Sequence, residues 1–352
     1  MAWDRVVALA EGRGGAYSLL ALRDGEVVAE HSKNCGPDSL FYCYSVTKPI
    51  TAMAVHLLAE RGQLHLDDSI AAHWPEYARH GKAGITIRQV LTHRAGVPAA
   101  LGHPGLDMAV IANWDVSVRA AARARPRWPP GQVVAYHVVT FGFILGELVR
   151  RVSGQPISQF VDQELFQPLA MDAYLALPAG QLGRAVPLRP KGGNLASPLY
   201  LNRPAARQAV APAASLHTTA RSLAAFYQML LNAGAAKSGR RLFAPETVAA
   251  ALAVSSDGEM DRTLRQPQRY SQGFQLGGLP GVARGMGSTA PPSAFGHNGS
   301  GVCSAWAEPA RGLIFVYLSN TTQFIGAGRR FASDLSDAAW SAFAAARAQG
   351  AD

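Results

Sequence analysis

The chain has 352 residues, 48% of them apolar and 16% charged, with a formal net charge of +9. That length fits one large or two interleaved domains, and the composition is ordinary for a compact fold. The positive charge comes mostly from arginines scattered along the chain without a recognition motif, which sets a nucleic-acid partner aside. No apolar run approaches the ~20 residues of a membrane span. The start, Met-Ala-Trp-Asp-Arg, opens no apolar leader. Three cysteines, Cys35, Cys43 and Cys303, are too few and too irregularly spaced for a disulfide framework or a zinc site. The expectation is a reduced cytoplasmic protein with no membrane partner and an open oligomeric state.

Residues 16–30 alternate around Asp24-Gly25, the pattern of a β-hairpin. From 46 to 61 the period becomes helical, with Ile50, Met53, Ala54, Leu57 and Leu58 on one face and Gly62 as the stop. Asp67 and Asp68 are expected to cap the next helix. The middle, roughly 63–230, carries helical patterns between Pro- and Gly-rich loops, clearest at 141–152 and 219–231. Short strands are expected at 294–297, 303–308 and 313–318, and a last amphipathic helix at about 332–347. Strands at both ends with helices between them predict an α/β body (residues 1–62 and 213–352) and an inserted, mainly helical domain (residues 63–212). The active site is expected at their interface, with the segment 176–212 shaping its mouth.

No Gly-x-Ser-x-Gly elbow, His-Glu-x-x-His pair, P-loop or strand-linked Gly-x-Gly-x-x-Gly is present. What remains is Ser45-Val46-Thr47-Lys48 at the opening of the first strong helix. Residues three apart share a helix face, so the Lys48 amine reaches the Ser45 hydroxyl. The positive helix end favours a developing alkoxide and disfavours an ammonium, and burial lowers the lysine pKa further. Pro49 is tolerated this early in a helix. The bare tetrapeptide also describes a capping serine before a surface lysine, and composition alone yields roughly 0.3 such matches.

The flanking text is more specific. Tyr44-Ser45-Val46-Thr47-Lys48-Pro49-Ile50-Thr51, then Leu64, Leu66, Asp67 and Asp68, resembles the nucleophile region of penicillin-binding proteins, class C β-lactamases and family VIII-type carboxylesterases. The stretch from Ile85 to Val97, the run from Pro130-Gly131 through Tyr136 to Gly146, and residues 168–172 and 214–220 continue the likeness in order. Phe295-Gly296-His297-Asn298-Gly299-Ser300-Gly301 fits the third element. The resemblance covers about residues 16–345. It implies a β-lactamase-like α+β fold, with a central antiparallel sheet flanked by helices and an inserted all-helical domain.

By position it also implies roles. Ser45 attacks the acyl carbon, Lys48 takes its proton, and Tyr136 completes the proton network, a neighbouring ammonium helping it ionise. The backbone N–H groups of Ser45 and Ser300 form the oxyanion hole. His297, Asn298 and Gly299, with Val138, line the substrate site. His93 is expected to hold its loop, and Cys43 and Cys303 to be packing residues. No metal or cofactor is needed for this chemistry.

Two departures from the lactamase pattern narrow the expectation. Tyr136-His137-Val138 stands where lactamases carry Tyr-x-Asn, and valine supplies no amide. His297-Asn298-Gly299 replaces Lys-Thr-Gly, exchanging a fixed charge for a titratable imidazole. The expected activity is hydrolysis of short-chain carboxylic esters through a Ser45 acyl-enzyme, the partner being a small-molecule ester or amide. Alternatives are a D-amino-acid peptidase or amidase, an acyltransferase, a β-lactamase, or a non-catalytic binding protein of the same fold.

Overall fold

Asp24 and Gly25 both take positive φ, 51° and 82°, and the resulting turn closes an N-terminal hairpin whose twist matches its strands. The computed structural model describes residues 2–192 and 196–348. Eight strands build one sheet from the two ends of the chain: β1 (Tyr17–Arg23), β2 (Glu26–Lys33), β3 (Ser256–Asp261), β4 (Gln266–Tyr270), β5 (Gln275–Leu276), β6 (Phe295–Gly299), β7 (Cys303–Glu308) and β8 (Leu313–Ser319). Their order is β2-β1-β8-β7-β6-β5-β4-β3, every pairing antiparallel. β8 reads Leu-Ile-Phe-Val-Tyr-Leu-Ser and is buried along its whole length. A strand apolar on both sides needs cover on both faces, and it has it.

Five longer helices bear on the site: α1 (Asp4–Arg13), α2 (Lys48–Glu60), α3 (Thr140–Ser153), α4 (Ala220–Leu231) and α5 (Ile325–Ala348). One face of the sheet packs on α1 and α5 around Trp306, Phe315, Leu335 and Trp340. The rings of Trp306 and Trp340 stack with centroids 3.8 Å apart. The other face packs on α2 and α4 in a larger core. Every residue of α2 from Lys48 to Leu58 is buried. That close packing needs small neighbours. A side chain on Gly273 would stand 2.2 Å from the Ala52 Cβ, and one on Gly142 of α3 would stand 2.3 Å from the Ala213 backbone nitrogen.

Several elements differ from the sequence expectation. α5 begins at Ile325 rather than near 332, because its first turns are small and polar and show little amphipathic period. β3 and β4 carry Ser, Asp, Gln and Arg with no apolar alternation, so only strand pairing identifies them. Asp67 and Asp68 do not cap. Ser69 caps the short helix Ile70–His73 by accepting from the Ala72 amide. Asp67 instead takes Arg88 in a two-point pair at 2.6 and 2.9 Å, and Asp68 accepts from the His65 amide and faces His73. A serine hydroxyl closes that turn, leaving both carboxylates to tie the loop.

Candidate active site

Phe41–Tyr42 pairs with His217–Thr218, and the Cys43 amide donates to the Leu216 carbonyl at 2.8 Å. Tyr44 then takes φ 49°, a left-handed conformation costing a non-glycine residue about 1 kcal/mol or more. The strain is held by contacts on both sides. Thr47 Oγ1 donates to the Tyr44 carbonyl at 2.6 Å and accepts from the Leu216 amide at 3.1 Å. The kink turns the chain into α2 and leaves Ser45 partly exposed between buried neighbours.

Lys48, the first residue of α2, is fully buried behind Ser45. Its Nζ lies 3.3 Å from Ser45 Oγ, 2.7 Å from the Val138 carbonyl and 3.3 Å from the Ala213 carbonyl. The Tyr136 ring faces the same nitrogen at 4.6 Å. Burial pulls the Lys48 pKa well below the usual lysine value, since an ammonium there loses its hydration. Tyr136 is raised, first by burial and then by the charge of Asp261, against a hydrogen bond with Ser45. Burial thus favours the neutral form of both groups, the uncharged amine and the protonated phenol.

Asp261 organises Tyr136 from behind. Its carboxylate accepts from the Tyr136 amide at 2.9 Å, the Tyr270 hydroxyl at 3.0 Å, and the Thr263 and Leu264 amides at 2.8 Å. Burial raises its pKa while these donors pull it back. Nothing in the local text marks this residue, because it sits on polar β3 and acts through a long-range contact. His93, at φ 59°, packs its ring 4.8 Å from Tyr136 and accepts from the His137 amide at 3.2 Å. His137 accepts at Nε2 from Val97 and hydrogen-bonds the Ala135 carbonyl through Nδ1, which places its proton on Nδ1. Burial holds its pKa near 4.

Ser45, Tyr136, Val138, Asn298 and Ser300 line one cavity of about 150 Å³. Along β6 the side chains alternate, so Asn298 faces this cavity while His297 and Gly299 are turned from it. A Cβ on Gly299 would come within 2.3 Å of the Cys43 carbonyl, so only glycine lets β6 close on the Ser45 turn. His297 is buried with its ring 6.0 Å from Tyr136. Burial first, and then the Lys48 amine, bring its pKa down to about 3. Where the sequence suggested a titratable imidazole, the packing keeps a neutral ring. Ser300 follows at φ 57°, exposed at the cavity's edge.

Residues outside the motif text complete the wall: Gln266, Gln268 and Gln275 from β4 and β5, Arg284 and Gly285 from the loop after β5, and Arg329 from α5. Larger depressions of about 750 and 410 Å³ lie elsewhere on the surface and contain none of the Ser45 cluster. Among the described residues no cluster of three metal-ligating side chains occurs, and no helix is long and apolar enough to cross a membrane.

Residues 4–335 match the family model described as Beta-lactamase. The chain belongs to the beta-lactamase family. Its sequence is 28% identical to the esterase/beta-lactamase LipL of Mycobacterium tuberculosis over 349 residues, covering 88% of this chain and 77% of LipL. A penicillin-binding protein homologue from Caulobacter crescentus superposes with a TM-score of 0.79 at 28% identity, over 96% of this chain and 98% of that one. A family VIII carboxylesterase gives a TM-score of 0.79 at 26% identity, over 94% and 95% of the two chains. The α/β architecture, with its large antiparallel sheet, is thus the beta-lactamase fold that the motif order implied.

Proposed function

We propose that this beta-lactamase-family chain hydrolyses short-chain carboxylic esters, with Ser45 as nucleophile, Lys48 as base and Tyr136 as proton relay. The observation that carries this reading is the buried Lys48 Nζ at 3.3 Å from Ser45 Oγ. The Val138 and Ala213 carbonyls engage two N–H bonds of the neutral amine and leave its lone pair for the Ser45 proton. Ser45 Oγ then bonds to the acyl carbon as its proton passes to Lys48 Nζ. The oxyanion is held by the Ser45 and Ser300 backbone N–H groups. Collapse of the tetrahedral intermediate breaks the bond to the alcohol, which leaves with the proton relayed from Lys48 through Tyr136. Water next attacks the acyl-serine, surrenders its proton to the same pair, and releases the carboxylic acid as Ser45 is reprotonated.

In this reading the site lies at the junction of the α/β body, which contributes Ser45, Asn298 and Ser300, with the inserted region, which contributes Tyr136 and Val138. The esterase relatives support an ester substrate. So does a small cavity in which Val138 stands in place of an amide, with the buried His297 ring behind it kept neutral. The test is turnover of p-nitrophenyl acetate, butyrate and octanoate, with a chromogenic cephalosporin alongside, in wild type and Ser45→Ala. Hydrolysis of the short esters, absent in the mutant and slow for the cephalosporin, is expected. Ester turnover that survives Ser45→Ala, or a wild type that forms no acyl adduct on Ser45, overturns the assignment.

A further inference from the structure

Burying a carboxylate is costly unless a cation or a set of donors answers it. Among the described residues the buried acids are Asp107, Glu147, Asp261 and Glu308. Glu147 is met by Arg150 and Arg151, and Glu308 by Arg311. Asp107 accepts from the Ala100 and Leu101 amides, a few residues before it. Asp261 differs from all three. It is fully buried, hydrogen bonds rather than a cation offset that burial, and its donors come from three segments of the chain. Oδ1 accepts from the Thr263 and Leu264 amides of its own turn. Oδ2 reaches across, accepting from the Tyr270 hydroxyl of β4 and from the Tyr136 amide, 125 positions away.

The strand-end turn that carries Asp261 grips the Tyr136 loop at a second point. The Arg262 amide donates to the Val134 carbonyl at 3.0 Å. On either side of Tyr136, the Ala135 amide donates to the His93 carbonyl at 3.0 Å and the His137 amide to His93 Nδ1 at 3.2 Å. Three successive amides are therefore fixed, the middle one by Asp261. The Tyr136 ring lies nearly parallel to that of Tyr270, centroids 6.4 Å apart, and its hydroxyl meets Ser45 at the far end. A rigid ring turns a small backbone rotation into a large displacement of its hydroxyl, and a misplacement of about 1 Å costs up to about 10²-fold in rate.

We propose that Asp261 is a positioning residue for the proton relay, holding Tyr136 so that its phenol stands between Lys48 and the departing alcohol oxygen. This rests on the ester-hydrolase reading of Ser45, Lys48 and Tyr136. In the step concerned, the bond from the acyl carbon to the alcohol oxygen breaks. The phenol proton passes to that oxygen, and the Lys48 ammonium returns a proton to the phenol. An alkoxide needs that proton to leave, whereas p-nitrophenolate departs without it. Misplacing the phenol therefore damages alkyl esters selectively, which a general loss of folded protein does not.

The test measures kcat/KM for ethyl butyrate and p-nitrophenyl butyrate, which deliver the same acyl group to Ser45. Wild type is compared with Tyr136→Phe, Asp261→Asn, Tyr270→Phe and the Tyr136→Phe/Asp261→Asn double variant. Asp261→Asn keeps an oxygen for the Thr263 and Leu264 amides but turns an N–H toward the Tyr136 amide. Tyr136→Phe should lower the ethyl-to-p-nitrophenyl ratio by about tenfold or more, and Asp261→Asn by about tenfold. In the double variant Asp261→Asn should lower it no further than Tyr136→Phe alone. Tyr270→Phe, which removes a donor from the same oxygen, should lower it by roughly threefold. Any loss of folded enzyme cancels in the ratio. A ratio that falls in Tyr136→Phe but not in Asp261→Asn, or not in Tyr270→Phe should Asp261→Asn fail to fold, overturns the proposal and leaves the hydrolase reading intact. A ratio unchanged in Tyr136→Phe removes the relay and the role of Asp261 with it. A wild type that turns over neither ester removes the hydrolase reading itself.

Discussion

The two halves of the cavity are built differently. The inner half, with Ser45, Lys48 and Tyr136, lies on a kinked turn, a helix buried from Lys48 to Leu58 and a loop clamped by His93 and Asp261. The outer half, with Gln266, Gln275, Arg284 and Arg329, comes from short polar strands, an irregular loop and the first turns of α5. The first is held by deep burial together with the clamps from Asp261 and His93, and the second by hydrogen bonds such as those to the Leu276, Gly285 and Met286 carbonyls. Under the proposed ester-hydrolase reading, such a division assigns the chemistry to the inner half and substrate choice to the half that tolerates sequence change.

The sharpest way to probe that division is Lys48→Met, which keeps the buried volume and removes the amine. Steady-state hydrolysis of p-nitrophenyl butyrate should fall by about 10²- to 10⁴-fold with little loss of stability. A variant that keeps most of its activity would move the base elsewhere and break the distinction between the halves.

Trp340→Ala acts on the outer half alone. It removes the stack on Trp306 and the donor to the Met286 carbonyl, and should cost about 3–5 kcal/mol in urea unfolding. The folded fraction should still acylate Ser45, while the discrimination between p-nitrophenyl acetate and octanoate changes. Equal damage to acylation and discrimination would mean that the halves are mechanically one.

The smallest effect concerns acid. Burial lowers His56, His137 and His217 to about 4 and His297 to about 3. As pH falls below about 6.5 the unfolded chain takes up protons that the folded one refuses, so stability drops between pH 6.5 and about 4. Asp261, raised by burial, opposes this in part. His297→Gln should flatten the dependence of the urea unfolding free energy on pH by up to about 1.4 kcal/mol per unit. An unchanged slope would show that His297 protonates as readily in the fold as outside it.

Local chemistry by itself determined the hairpin at Asp24-Gly25, the helix that begins at Lys48, and the strands around 295–318, because each is written in turn residues or in a regular apolar period. The Ser45–Lys48 spacing and the run from Phe295 to Gly301 were legible for the same reason, since a motif is a short-range object. Tertiary structure alone decided that Asp261 holds Tyr136, that Asn298 rather than His297 faces the cavity, and that the buried Arg284 guanidinium, bonded to the Leu276 carbonyl, stands beside it. Those outcomes depend on strand register and on burial, which join residues more than a hundred positions apart, and the desolvation that keeps His297 neutral exists only once the core has closed around it.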